Sequence, residues 1–209
     1  CSRCKCETNT TALHSIQSGH GIACGCVNKT ERLVWYPELK LQSEKSDYLT
    51  MIDEKQGSGN YTPTHLKIKG RSRFDAGISI RCRNGTVTTA SEEIDGRQHF
   101  EDVRKWETAV ENAKKDGLKA LGGLEVGEWN VRYHQEGVWV GTYDWKIFMR
   151  KAHDYIYENG GVTSPKVILP MFYKDTYTEW ARNAGISDNS IVWLDEPEAH
   201  VERSDCDYT

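Results

Sequence analysis

An Asn-Gly pair between two β-rich runs constrains this chain more than any other feature. The runs 74–82 and 86–94 flank Asn84-Gly85. This dipeptide favours the left-handed backbone conformations that tight hairpin turns require, and the flanking runs are rich in β-forming residues. The two runs are therefore predicted to pair as an antiparallel hairpin.

The register of this hairpin decides which acidic side chains meet. A two-residue loop would set Asp75 opposite Ile94 and turn Asp75 away from the face of Glu93 and Asp95. A longer loop or a β-bulge would bring Asp75 opposite one of those two acids. Only the second outcome groups the carboxylates in one site.

The second run ends in a dense group of polar residues, Glu-Glu-Ile-Asp-Gly-Arg-Gln-His-Phe at positions 92–100. Asp75, Glu93 and Asp95 could hold a hard divalent cation through oxygen ligands, and His99 could move a proton. Phosphodiester hydrolysis requires both a metal that neutralises charge and a base that activates water. The alternative is that these residues are ordinary strand-end acids and one polar histidine.

The rest of the chain alternates helical and extended patterns. Helices are predicted at 30–36, from 103 to a stop at the glycines 117, 122 and 123, at 143–158 and at 176–184. Strands are predicted at 129–133, 167–169 and 191–194, with a turn at 135–137 that makes 138–140 the second arm of another hairpin, and 43–63 is predicted as loop. The sequence thus predicts an α/β fold, a mixed β-sheet flanked by helices.

Cysteines are concentrated at the start of the chain, where five of the seven fall within the first 26 residues. Cys1-x2-Cys4 and Cys24-x-Cys26 offer four thiolates, which is the ligand set of a closed structural Zn2+ site. A small zinc-ribbon-like module is therefore predicted at 1–28, and because so short a segment cannot bury a core, the metal would supply its folding energy. Alternative ligands are Cys6, His14 and His20.

A secreted, disulfide-bonded glycoprotein is the competing class. Asn-x-Ser/Thr triplets at Asn9, Asn28, Asn60 and Asn84 fit that class. The clustered cysteines favour a metal over a disulfide framework. No long apolar run or charged-then-apolar leader is present, so an intracellular protein without a membrane span is predicted.

Several motifs occur in a suggestive order. They are Ile-x2-Gly-His-Gly (16–21) between the cysteine pairs, Asn-Lys-Thr-Glu (28–31), Arg-Phe-Asp (73–75), Glu-Ile-Asp-Gly-Arg-Gln-His-Phe (93–100) and Asp-x-Lys (144–146). This order resembles the Vsr-like nucleases, relatives of the very-short-patch repair endonuclease in the PD-(D/E)XK group, which include the EDxHD homing endonucleases. The resemblance covers roughly 1–36, 71–100 and 142–170. It implies a restriction-endonuclease-like core at 29–200, with an inserted hairpin near 128–141 and an acidic tail at 201–209.

The resemblance also implies roles for individual residues. The implied catalytic residues are Glu31, Asp75, Asp95, Gln98, His99 and Asp144. Among them Asp75 would bind Mg2+ together with Glu93, His99 would be the general base, and Asp144 would be the last acid of the site.

The implied partner is double-stranded DNA. Phosphate contacts would come from a local basic group and one helix residue, namely Lys67, Lys69, Arg71, Arg73 and Lys146. A net charge of −4 argues against a uniformly basic nucleic-acid coat, and a solvated strand surface is the alternative for the basic group. The predicted function is a Mg2+-dependent endonuclease of the homing or repair type, which nicks DNA or cuts both strands. A catalytically silent nuclease-fold subunit is the alternative, and a homodimer or a larger nucleoprotein assembly is compatible with either.

Overall fold

A computed structural model describes residues 34–52, 74–103, 107–141 and 143–194. Several predicted site residues lie outside these ranges, namely Cys1, Cys4, Cys24, Cys26, Glu31, Lys67, Lys69, Arg71 and Arg73. The zinc module and the basic group therefore stay predictions.

The centre of the fold is a six-stranded sheet. Its strands are β1 (Leu49–Met51), β2 (Ala76–Arg81), β3 (Val87–Asp95), β4 (Glu128–His134), β5 (Val167–Pro170) and β6 (Ile191–Leu194), which lie in this order across the sheet. Strands β1 to β3 are antiparallel, and β3 to β6 are parallel. The predicted α/β class with a mixed sheet is confirmed.

Helices cover both faces of the sheet. They are α1 (Tyr36–Lys45), α2 (Ala109–Glu125), α3 (Gln135–Val140), α4 (Trp145–Asn159) and α5 (Lys174–Ala184). Residues of α1 and α4 share one apolar core with β2, β3 and β4, whereas α2 and α5 share a second core with β5 and β6. Within the described ranges, none of the helices is long and apolar enough to cross a membrane.

The C-terminal elements agree with the sequence pattern. The helices predicted at 143–158 and 176–184 are α4 and α5, and the strands predicted at 167–169 and 191–194 are β5 and β6. All four β5 residues are buried, because helices cover both faces of a parallel strand. Burial of each large aliphatic side chain contributes about 1.5–3 kcal/mol to folding.

The helix α2 differs from the prediction at both ends. It begins one residue after Thr108, which forms a reciprocal capping box with Glu111, and it runs through all three glycines to Glu125. The prediction that the glycines end it is wrong. A Cβ on Gly117 would lie 2.0 Å from the Ala184 carbonyl oxygen, so this glycine lets α2 and α5 approach closely.

The predicted second hairpin is also wrong. Residues 135–140 form the short helix α3, which His134 caps by accepting the Gly137 N–H at Nδ1 over 3.4 Å. The strand before it, β4, is paired on both edges, by β3 and β5. No edge of β4 remains for a hairpin arm.

The helix predicted at 30–36 lies largely outside the described residues, and α1 begins at Tyr36 with Pro37 as its second residue. This proline lies in the first turn of α1, where a missing N–H costs no intrahelical hydrogen bond. The helix then continues to Lys45, and the next strand, β1, pairs with β2. The prediction of loop from residue 43 is therefore wrong for 43–45 and 49–51.

Candidate functional site

Three potential metal ligands converge where β3 ends. Glu93 and Asp95 lie two residues apart in β3 and so project from the same face of the sheet, toward α2. A 3-10 turn, Arg97–His99, then brings His99 back over the strand end. One ligand atom from each of Glu93, Asp95 and His99 lies within 4.8 Å of the others.

Asp95 is fully buried and firmly held. Arg132 on β4 donates Nε–H to Asp95 Oδ2 over 2.8 Å, and its Nη2 contacts the other carboxylate oxygen. The Tyr177 hydroxyl on α5 donates to Oδ2 over 2.9 Å. Burial alone would lower the pKa of Arg132, but the neighbouring carboxylates outweigh it and raise this pKa, so the guanidinium stays charged. These contacts fix the position of the Asp95 carboxylate.

His99 forms a tight pair with Asp116 on α2. Its Nδ1 lies 2.5 Å from Asp116 Oδ2 and 3.7 Å from Asp95 Oδ1. Burial opposes charge on the ring, but Asp95 and Asp116 outweigh it and raise the pKa of His99. Burial would likewise raise the pKa of Asp116, yet Arg132 and His99 hold this pKa well below its usual range. Asp116 therefore stays ionised and directs the Nδ1 proton of His99 toward itself, which leaves Nε2 for other chemistry.

Glu93 is the carboxylate that is incompletely satisfied. Its Oε1 accepts a hydrogen bond of 3.0 Å from Lys119 of α2, whose ammonium also lies 4.8 Å from the centre of the Phe74 ring. The other oxygen, Oε2, is buried and has no hydrogen-bond partner within the described ranges. A buried carboxylate oxygen without a partner is costly, so a donor or a cation at this oxygen would stabilise it.

We call Glu93, Asp95, His99, Asp116, Lys119 and Arg132 the buried charge cluster. It combines three carboxylates, two permanent cations and one histidine. With His99 protonated, as its raised pKa favours, the charges of the cluster balance, whereas with the ring neutral one negative charge is left without compensation among these residues. A bound cation would compensate that charge.

Asp75 is close to this cluster but not among its converging ligands. Arg81 pairs with Val87 and Ala76 with Glu92, so the register is not that of a two-residue loop. The Asp75 N–H nevertheless donates to the Glu92 carbonyl, and the Asp75 carboxylate accepts the Ile94 N–H over 2.8 Å. The backbone thus shifts locally at Asp75, and the side chain bonds to strand β3.

Gln98 has contacts within the turn. Its side chain lies over Gly96, where an added Cβ would be only 2.5 Å from the Gln98 amide oxygen. Its main-chain carbonyl accepts a hydrogen bond of 3.0 Å from Asn112 of α2. Gln98 is therefore part of the turn that positions His99, and it connects this turn to α2.

Asp144 and Lys146 are not part of the buried charge cluster. Asp144 is the N-cap of α4, and its Oδ1 accepts the Ile147 N–H over 3.0 Å. The Lys146 ammonium forms an ion pair of 2.9 Å with Glu38 of α1. Their contacts are those of helix capping and of a surface ion pair.

Three cluster members were missed in the sequence, namely Asp116, Lys119 and Arg132. Sequence periodicity shows only which side of its own helix or strand each of these residues faces. Whether they contact the end of β3 depends on how α2 and β4 pack against it. Local sequence patterns do not predict this packing.

Comparison of the chain with protein-family models, with curated proteins and with solved structures gives no match.

Proposed function

We propose that this protein is a metal-dependent DNA endonuclease whose reaction centre includes Glu93, Asp95 and His99. The observation that carries the proposal is their convergence within 4.8 Å at the end of β3. The buried Oε2 of Glu93, which has no hydrogen-bond partner among the described residues, could bind such an ion.

The donor atoms fit a hard divalent cation. Carboxylate oxygens are the ligands that Mg2+ prefers, and Mg2+ is usually held by one or two carboxylates together with water and substrate phosphate. Glu93 and Asp95 would hold the ion, and His99 would lie beside it. The mixed sheet between helices is compatible with the restriction-endonuclease-like core that the motif order implies.

The bound ion would neutralise the charge that develops on the phosphate. The protein would supply the proton transfer. Asp116 orients the His99 ring through Nδ1 at 2.5 Å, so Nε2 is the atom that would accept a proton from water. The Lys119 ammonium, 3.0 Å from Glu93 Oε1, adds positive charge where an anionic substrate would approach.

The remaining components of the proposal come from the sequence. The Cys1, Cys4, Cys24 and Cys26 thiolates would hold a structural Zn2+. The basic group at 67–73 would contact double-stranded DNA through its phosphates. Asp75 contributes by holding the Ile94 amide, and so the strand end, in position.

A specific observation favours a second candidate, a catalytically silent subunit that keeps the nuclease-like fold for binding or assembly. Arg132 contacts both oxygens of Asp95, and Tyr177 adds a third hydrogen bond. Such a network can serve stability alone, because its charges are compensated internally.

Nicking of supercoiled plasmid separates the two candidates. Wild-type protein is expected to nick in Mg2+ and to be inactive in EDTA, and Glu93→Gln and His99→Ala are each expected to reduce the rate at least about a hundredfold. The matched control is Glu128→Gln, which neutralises a buried carboxylate at the opposite end of β4 and should retain activity. Equal activity of all four proteins would reject the proposed centre. An inactive but folded wild type would favour the silent subunit.

A further inference from the structure

A groove adjoins the buried charge cluster at His99. It has a volume of about 480 Å3 and lies between the turn at 97–100, the start of α2 and one side of α5. Small-molecule sites usually have volumes of about 300–1,000 Å3. We call it the α2–α5 groove.

One wall of the groove is a stripe along α5. Thr176, Glu179, Trp180 and Asn183 line it, and their spacing of three and four residues puts them on one helix face. The polar side chains of Thr176, Glu179 and Asn183 have no hydrogen-bond or ion-pair partner within the described part of the chain. They therefore offer free donors and acceptors along one side of the groove.

Other lining residues are aromatic or apolar. The Phe100 ring is stacked on His134 with centroids 5.0 Å apart and contacts Tyr177 edge-on, so its orientation is fixed. Val110 at the start of α2 is 42% exposed and also lines the groove. A flat ring would find both an apolar surface and hydrogen-bonding groups in this groove.

The charged residues of the groove limit the chemical class of an aromatic ligand that could bind there. Glu179 lines it, and the two neighbouring acids are already engaged, Glu101 with Arg97 and Asp102 with the Ala109 amide. Glu179 has no cationic partner among the described residues, so its carboxylate disfavours a phosphate directly beside it on α5. The groove thus suits an uncharged heteroaromatic ring with donors and acceptors on its edge, which is the chemistry of a nucleobase.

We propose that the α2–α5 groove binds an unpaired nucleobase of the DNA substrate, next to the phosphate that is cut at His99. This inference rests on the proposed endonuclease function. An enzyme that holds a base outside the stack bears the cost of unpairing it, and this cost is least for a base that is already unpaired. Cleavage should therefore be favoured beside a bulged nucleotide.

Three duplexes of one sequence test this inference: fully paired, with a single-base bulge, and with an abasic bulge at the same position. Stacking of one base contributes about 1–3 kcal/mol, so wild-type protein is expected to bind and to cut the bulged-base duplex about tenfold better than the other two. Binding is measured in EDTA with 2-aminopurine as the bulged base, whose fluorescence the aromatic walls should quench.

Two variants examine the groove itself. Val110→Trp fills the groove and should abolish the tenfold preference, whereas Asn183→Ala removes one amide, leaves the aromatic surface in place and should reduce the preference in part. Leu118→Trp is the matched control, since it adds the same ring to α2 at a position that is 74% exposed and outside the groove lining. It should keep the preference.

The outcomes separate this inference from the endonuclease proposal. Plasmid nicking without any preference among the three duplexes overturns base binding and leaves the nuclease standing. Preferential binding of 2-aminopurine without cleavage supports base binding and overturns the nuclease. Binding of none of the duplexes, or a preference that survives both groove variants, overturns the inference.

Discussion

Glu128 permits a prediction whose magnitude follows from the structure. It is the first residue of β4, where it pairs with Thr89, and it is only 3% exposed. Burial raises the pKa of this carboxyl to about 7, against a small opposing effect of a hydrogen bond with Ser91. Glu128 therefore takes up a proton more readily in the folded protein than in the unfolded chain.

The sign and size of the effect on stability follow from this difference. The pKa rises from 4.5 to about 7, and each unit corresponds to about 1.4 kcal/mol, so ionised Glu128 costs the folded state about 3 kcal/mol. Protonated Glu128 makes its full contribution to the free energy of unfolding below about pH 4.5. This contribution is lost as the pH rises through about 7.

The perturbation is Glu128→Gln, which cannot ionise. Urea denaturation of wild type and variant, at about pH 4.5 and about pH 8.5, gives the free energy of unfolding at both ends of this range. From about pH 4.5 to about pH 8.5, the free energy of unfolding of the variant should rise by about 3 kcal/mol relative to that of wild type. Glu125→Gln on the exposed end of α2 is the control and should follow wild type. A pH dependence of Glu128→Gln that runs parallel to wild type would refute the reasoning.

Three further substitutions have defined outcomes. Gly117→Ala should lower the free energy of unfolding by about 1–3 kcal/mol or more, because the added Cβ meets the Ala184 carbonyl at 2.0 Å; an unchanged melting temperature would contradict the close helix contact. Arg132→Met should cost about 3–5 kcal/mol in urea denaturation, since it leaves Asp95 charged and buried, and a neutral result would mean that the pair is not buried in solution. Asp144→Ala should cost about 1 kcal/mol of stability as a lost helix cap while divalent-metal affinity is unchanged, whereas weakened metal binding would restore its implied role as the last acid.

The parts of the fold that could be predicted have strong local signals. The Asn84-Gly85 pair marked the β2–β3 hairpin, and apolar periodicity marked α4, α5, β5 and β6. The convergence of Glu93, Asp95 and His99 was accessible for the same reason, because all three lie within seven residues of one strand end. Glu93 and Asp95 share one face of β3, and the turn that carries His99 follows directly.

The remaining errors arise where tertiary contacts override local preference. Glycine lowers helix propensity, yet Gly117 lies inside α2 because α5 needs the space. Strand-like residues follow Gln135 but form a helix, because both edges of β4 are already paired. The hairpin register could not show that the Asp75 carboxylate would accept the Ile94 N–H, because register fixes which residues are opposite and not where a side chain bonds.

The central claim is that Glu93 and Asp95 hold a divalent cation at the end of β3, beside His99. Titration of the protein with Mn2+, followed by the paramagnetic resonance of the free ion, measures this directly. Wild type should bind Mn2+ in competition with Mg2+, and Glu93→Gln, which keeps the shape and the Lys119 contact but loses the charge, should weaken this binding at least about tenfold. Equal Mn2+ affinity of wild type and Glu93→Gln would contradict the account.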